Sequence, residues 1–213
     1  VDAPTRQSQT WNTGVYDWTA LGQAADIVRI PALADTAAYA PSGEMDQLIA
    51  WAVGEVDRRK IEFSIPAYSH DIEKNKQGRL SYAKALSLLA QNISADDADR
   101  MLLPGESVTL SVPDLNQAKI KFDPNAQVYW FTYQDSNKKD HTILLENASS
   151  VARKLQYVSR YALGGMVIEG ALDEQNDRNV PQIVQNFKDN LVPPAPRFAL
   201  VWTIEDTTGK TLD

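Results

Sequence analysis

The arrangement that most limits how this chain can fold is an amphipathic helix running straight into a strand. Met45, Leu48, Ile49, Ala52, Val53 and Val56 follow i, i+3, i+4, i+7, i+8, i+11 spacing and share one helical stripe. Arg58, Arg59 and Lys60 stand at the C-terminal end of that helix, where cations favour the helix dipole. Ile61-Glu62-Phe63-Ser64-Ile65 then reads as a strand. Helix feeding strand within a few residues is the signature of βα units, and so of a sheet with parallel strands.

The same texture brackets the chain. A short helix over Leu21–Ala25 leads to Ile27-Val28-Arg29-Ile30, a buried strand ended by Pro31, whereas the first ten residues look polar and irregular. Toward the other end, Val151, Leu155, Val158 and Ala162 mark a second amphipathic helix, stopped by Gly164-Gly165, and Met166-Val167-Ile168 is a buried strand. Asn179 and Pro181 open a last helix carrying Ile183, Val184, Phe187 and Leu191.

Between these lies a different pattern. Ser81 caps a helix with Tyr82, Leu86 and Leu89, and Ser94 a short one with Asp96 and Asp97 in its first turn. Strands are expected at Val108–Val112, Ala118–Phe122, Val128–Tyr133 and Thr142–Leu145, the last two joined as a hairpin by Asp135-Ser136-Asn137. The reading is antiparallel α+β material inserted into an α/β chain. It divides the chain into barrel-type units over 1–72 and 147–191, an α+β insertion over 73–146, a stiff Pro-rich linker over 192–197, and over 198–213 a strand that either pairs with something upstream or belongs to a following or truncated domain.

Composition narrows the function. The 213 residues are 43% hydrophobic and 23% charged, enough for a sizeable core. With 21 basic and 28 acidic residues the formal charge is −7, and no Lys/Arg stripe is set to neutralise phosphates, so nucleic acid is not an expected partner. The absence of cysteine excludes disulfides, thiol catalysis and cysteine-bound zinc. No apolar run is long enough to span a bilayer, and the N-terminus shows no signal-peptide h-region, so the signal for export is expected outside this chain. His70 and His141, the two histidines, lack partners at metal-binding helical spacing and are expected on the surface or in loops. No dinucleotide, phosphate-loop or nucleophile-elbow motif occurs, so neither cofactor nor metal is expected.

Three ordered stretches resemble glycoside hydrolase family 18, the chitinase-like barrels. Trp11-Asn12-Thr13-Gly14-Val15-Tyr16-Asp17-Trp18, followed by Ala25-Asp26-Ile27-Val28-Arg29-Ile30, is similar to the approach to the family's sixth strand. Ile65-Pro66-Ala67-Tyr68-Ser69-His70-Asp71 resembles the end of the seventh. The third set runs from Ala118–Pro124 through Tyr129–Tyr133, Leu145–Ser150 and Lys154 to Tyr161–Gly165, and resembles the insertion and the approach to the eighth strand. The likeness covers roughly 170 residues and is strongest to the spore-cortex, peptidoglycan-hydrolase branch.

The resemblance implies an α/β fold: the C-terminal part of a (β/α)8 TIM-type barrel with an inserted α+β domain, completed by an upstream part of the same protein or by a protein partner. It also implies a polysaccharide containing N-acetylglucosamine as ligand, and an extracellular or cell-envelope location. The family's catalytic acid ends a D-x-x-D-x-D-x-E run that this sequence lacks. Pro31-Ala32-Leu33-Ala34 falls where Tyr and Asp would position the acetamido group, unless a one-residue shift brings in Asp35. Glu169 falls where a Trp would floor the sugar site, and Leu144-Leu145-Glu146-Asn147 keeps only the Glu of "W-F-E-D". The expectation is a degenerate module that binds carbohydrate or serves as a structural surface. Its alternatives are an active N-acetylglucosaminidase or peptidoglycan hydrolase with its acid upstream, and an assembly subunit without ligand.

The candidate carbohydrate-binding residues are Tyr68, Asp71, Trp130, Glu146 and Glu169. Tyr68 and Asp71 stand at the C-terminal end of a barrel strand, the face that carries such sites, with packing of the Tyr ring as the other reading. Strand alternation sends Tyr129, Phe131 and Tyr133 to one face and Trp130 to the other, so Trp130 is either a stacking platform or core. Glu169 is either a buried carboxylate paired with a base or a pocket acid with a raised pKa.

Overall fold

The computed structural model describes residues 3–8, 10–74, 76–90, 94–95, 110–111 and 120–189. The expected linker and final strand after it, and Asp96, Asp97 and Asp99, lie outside these. A short hairpin of β1 (Thr5–Gln7) and β2 (Thr10–Asn12) precedes α1 (Trp18–Ala24) and β3 (Val28–Pro31). Next come α2 (Glu44–Glu55), β4 (Ile61–Pro66), β5 (Ser69–Glu73), β6 (Lys76–Leu80) and α3 (Tyr82–Ser87). A two-residue ladder, β7 (Ser94–Ala95) with β8 (Leu110–Ser111), leads to β9 (Lys121–Asp123), β10 (Val128–Gln134) and β11 (Asp140–Leu145). The described chain closes with α4 (Ala148–Arg160), β12 (Gly165–Glu169) and α5 (Val180–Lys188).

Two sheets carry the architecture. β12-β4-β3 is a parallel sheet, and β6-β5-β11-β10-β9 is an antiparallel one. The chain changes sheet within Ala67-Tyr68, between β4 and β5. In the parallel sheet, Val28 and Ile30 of β3 and Ile61, Phe63 and Ile65 of β4 are buried. They pack in one core with Met45, Leu48, Ile49 and Ala52 of α2 and with Val151, Leu155 and Val158 of α4. Each of these side chains except that of Ala52 contributes about 1.5–3 kcal/mol of burial. Arg29, Glu62 and Ser64 point to the opposite face, as strand alternation requires. The second core lies under α3 and gathers Ala85, Leu89, Phe131, Ile143 and Leu145.

Several local expectations are corrected. The N-terminal residues are not irregular: β1 and β2 pair through polar residues, and Trp11 holds the hairpin down by packing 5.8 Å from the Trp51 ring. Arg58, Arg59 and Lys60 do not extend α2 but form a separate 3-10 turn capped by Asp57, and Lys60 Nζ donates to the Gly22 and Ala25 carbonyls, at 2.9 Å each. The ammonium therefore serves the C-terminus of α1. Ser94 lies in β7 rather than capping a helix, because its backbone pairs with Ser111. The Gly164-Gly165 pair does not stop α4, which ends at Arg160, and Ala162 takes the left-handed turn at φ 49°. Gly164 meets a different demand: a Cβ there would stand 1.9 Å from the Arg59 carbonyl oxygen. β12 is half-buried rather than buried, being an outer strand of its sheet.

Candidate functional site

The C-terminal ends of β3, β4 and β12 meet at one edge of the parallel sheet, and the β5–β6 hairpin rises beside them. Together they enclose a cavity of about 410 Å³. Pro31, Ala32, Leu33 and Ala34 form an apolar wall, and Ser64, Tyr68, His70, Gln77, Arg79 and Glu169 supply the polar groups. Asp35 does not line it. Its carboxylate caps the following 3-10 turn through the Ala37 N–H at 2.9 Å.

Glu169, the last residue of β12, is the centre of the polar set. Ser64 Oγ donates to Oε1 at 2.6 Å and the Tyr68 hydroxyl to Oε2 at 3.1 Å, while Arg79 Nη1 lies 3.6 Å from Oε2. The Ser64 hydrogen bond, opposed by partial burial and aided by Tyr68 and Arg79, holds the Glu169 carboxyl below its ordinary range. Both earlier readings of Glu169 therefore meet in one residue, with the shift reversed: it is a pocket carboxylate, half-buried, paired with a base and ionised. Burial, with the Glu169 charge second, raises the Tyr68 hydroxyl above its usual value, so it remains a donor.

His70 is not a loop residue. It lies in β5 and is 5% exposed, and burial lowers its pKa, which keeps the ring neutral. Gln77 Nε2 stands 2.7 Å from Nδ1; an amide donor there places the ring proton on Nε2, which has no hydrogen-bond partner among the described residues. His141 is likewise in a strand, β11, and only 12% of its side chain is exposed.

Tyr68 and Glu169 are thus the two candidate residues that the structure brings together in the cavity. Alternation along β5 turns Asp71 to the side opposite His70, where its Oδ1 accepts from His141 Nδ1 at 2.7 Å. Trp130 packs against the main core and lies under Lys121 Nζ, 4.4 Å from the ring centroid. Glu146 is buried in an ion pair with Lys154 and accepts from Ser150 Oγ at 2.6 Å. These three side chains do not line the cavity. Ser64, Gln77 and Arg79 were missed. Ser64 left a signal, a polar residue between Phe63 and Ile65 near a strand's C-terminal end; Gln77 and Arg79 sit on an exposed outer strand without an apolar pattern.

Among the described residues, no helix is long and apolar enough to cross a membrane, and no group of three or more His, Cys, Asp or Glu could hold a metal ion.

No family model matches the chain. In sequence it is 25% identical over 170 residues to YdhD of Bacillus subtilis (strain 168), whose name describes a sporulation-specific glycosylase; the match takes in 76% of this chain and 36% of that protein. In structure it is similar to the chitinase of Chromobacterium violaceum ATCC 12472, with a TM-score of 0.60 and 25% identity, over 88% of this chain and 54% of that one. In sequence and fold the chain thus resembles the chitinase-like proteins of glycoside hydrolase family 18. A Group IV chitinase of Ostrinia furnacalis solved with allosamidin shares the fold at 11% identity, with a TM-score of 0.55 over 90% of this chain and 57% of that one. The chitinase-like chain thus spans about a third to a half of the relatives it matches, and its α/β architecture is that of a partial TIM-type fold. Its cavity lies at the C-terminal edge of the parallel strands, the face on which barrels of this kind carry their sites.

Proposed function

We propose that this chitinase-like chain binds a chitin- or peptidoglycan-type glycan in the cavity at the ends of β3, β4 and β12, without cleaving it, at the cell surface or envelope. The observation that carries the reading is the state of Glu169. A general acid must hold a proton near neutral pH, which calls for a raised pKa. Glu169 instead accepts from Ser64 and Tyr68 and is held ionised. Such a carboxylate orients hydroxyl or amine groups and does not protonate a leaving oxygen. Among the described residues no second carboxylate joins it in the lining. Tyr68 and Glu169 are the binding residues, while Asp71, Trp130 and Glu146 support the sheets around them. The insertion, read as 73–146, contributes Gln77 and Arg79 of β6 to the lining.

The second reading is a hydrolase whose acid comes from an upstream part of the protein or from a partner that completes the barrel. It is favoured by the outer strands of the parallel sheet, β3 and β12, each of which has one unpaired edge among the described residues. Titration calorimetry with chitin tetramer and soluble peptidoglycan fragments, followed by assay of reducing ends, tests both. Binding without release of reducing ends is expected. No binding overturns the proposal, and release of reducing ends replaces it with the hydrolase.

A further inference from the structure

The cavity already holds a cation, and holds it loosely. The Arg79 guanidinium carbon lies 4.5 Å from the centroid of the Tyr68 ring, and Nη1 lies 3.6 Å from Glu169 Oε2. Yet the Arg79 side chain is 71% exposed and makes no hydrogen bond among the described residues. It rides on β6, an outer strand whose first four residues face solvent. The groups it covers are fixed by contrast. Glu169 is gripped at both oxygens and its backbone carbonyl accepts from the Ala67 N–H at 2.8 Å, which also ties down the turn carrying Tyr68. An aromatic face beside a fixed carboxylate is the pairing that recognises an ammonium group.

Resting on the glycan reading above, we propose that the cavity selects a de-N-acetylated amino sugar, whose ammonium takes the place of Arg79 against Tyr68 and Glu169. The exchange is cation for cation: the guanidinium swings out to water, the ammonium enters, and no proton or covalent bond changes hands. A neutral acetamido sugar brings no charge to replace the guanidinium. A sugar carboxylate would meet Glu169 at like charge. The formal charge of −7 acts in the same direction, drawing a cationic glycan toward the protein over distances that salt screens. Arg79 is then a resident competitor for the site.

Titration calorimetry of glucosamine tetramer against N-acetylglucosamine tetramer, at mildly acidic pH so that the amine is charged, tests the inference on the chain and its variants. The wild type is expected to prefer the glucosamine tetramer. Arg79→Gln should tighten that binding about two- to fivefold, the worth of one exposed cation on an aromatic ring, and widen the preference for the glucosamine over the acetylated tetramer. Glu169→Gln should abolish the preference. Arg79 has no buried partner, so its variant carries the test even if Glu169→Gln folds poorly. Weaker glucosamine binding in Arg79→Gln would make Arg79 an anchor and overturn the proposal. An equal or larger gain for the acetylated tetramer in Arg79→Gln would overturn it and leave the glycan reading standing, whereas binding of neither tetramer would remove both.

Discussion

Lys154 is among the largest fully buried side chains of the molecule, and it is a cation. Its ammonium pairs with Glu146, which also accepts from Ser150 Oγ, and lies 5.5 Å from the centroid of the buried Tyr39 ring. The Glu146 backbone N–H donates to Ser69 Oγ at 3.3 Å. One ion pair thus joins the end of β11, the start of β5 and the middle of α4, where the two sheets meet. Such a pair adds little over an apolar replacement, but removing one partner leaves a buried charge uncompensated. Lys154→Met is therefore expected to cost about 3–5 kcal/mol in urea denaturation. The double variant Lys154→Met/Glu146→Gln should recover part of that loss by removing the stranded charge. A single variant as stable as the wild type would show that the pair does not secure this junction.

At the scale of elements, β5 and β11 carry two histidines with opposite titration. His141 is raised above its ordinary value, first by its hydrogen bond to Asp71 and then by the charges of Asp71, Asp135 and Glu73. Its stabilising contribution is complete below about pH 6.5, the unfolded value, and is lost as pH rises through the folded pKa. His70 is lowered by burial, so the unfolded chain binds its proton more readily, and stability is lost as pH falls below about 6.5 toward the folded value. In the wild type the two trends oppose each other. His141→Gln should therefore leave stability that falls toward acid, and His70→Gln stability that falls toward alkali, when urea midpoints are followed between about pH 5.5 and 8. Identical profiles in the two variants would contradict this assignment.

The elements also differ in how plainly the sequence announces them. α2 and β4 are legible because their apolar residues keep the periods 3.6 and 2, and the β10–β11 hairpin because Asp135 and Asn137 offer turn chemistry between two apolar runs. The turn is held from Asp135, whose N–H donates to the Lys139 carbonyl at 3.0 Å. β6 is not legible: Lys76-Gln77-Gly78-Arg79 buries no side chain and is a strand only because β5 lies beside it. Two cavity residues, Gln77 and Arg79, were hidden with it. Tyr68 and Glu169 were legible as positions at strand ends, but not the hydrogen bond between them, which spans residues far apart in the chain.

For the whole molecule, β10 and β11 are elements that both cores share: in β10, Val128 belongs to the core of α2 and α4 and Phe131 to the core under α3. Ile143 and Leu145 face the core under α3, and Leu144 faces the core of α2 and α4. The two cores should therefore unfold together. Phe131→Ala, in the core under α3, should cost about 3–5 kcal/mol. Tryptophan fluorescence, to which the clustered Trp11, Trp18 and Trp51 of the other core contribute, should report the same lowered midpoint as circular dichroism. Two separate transitions would show that the cores are independent.

The cavity draws on different layers: paired strand ends below, and the β5–β6 hairpin above. Because β6 pairs with β5 alone among the described residues, exchanging residues 76–80 would rewrite what the cavity admits while leaving the parallel sheet and its hydrogen-bonded carboxylate in place. In that sense the molecule is organised like a lock whose warding can be recut without rebuilding its case, and this hairpin is where a library seeking new ligand preferences should be placed.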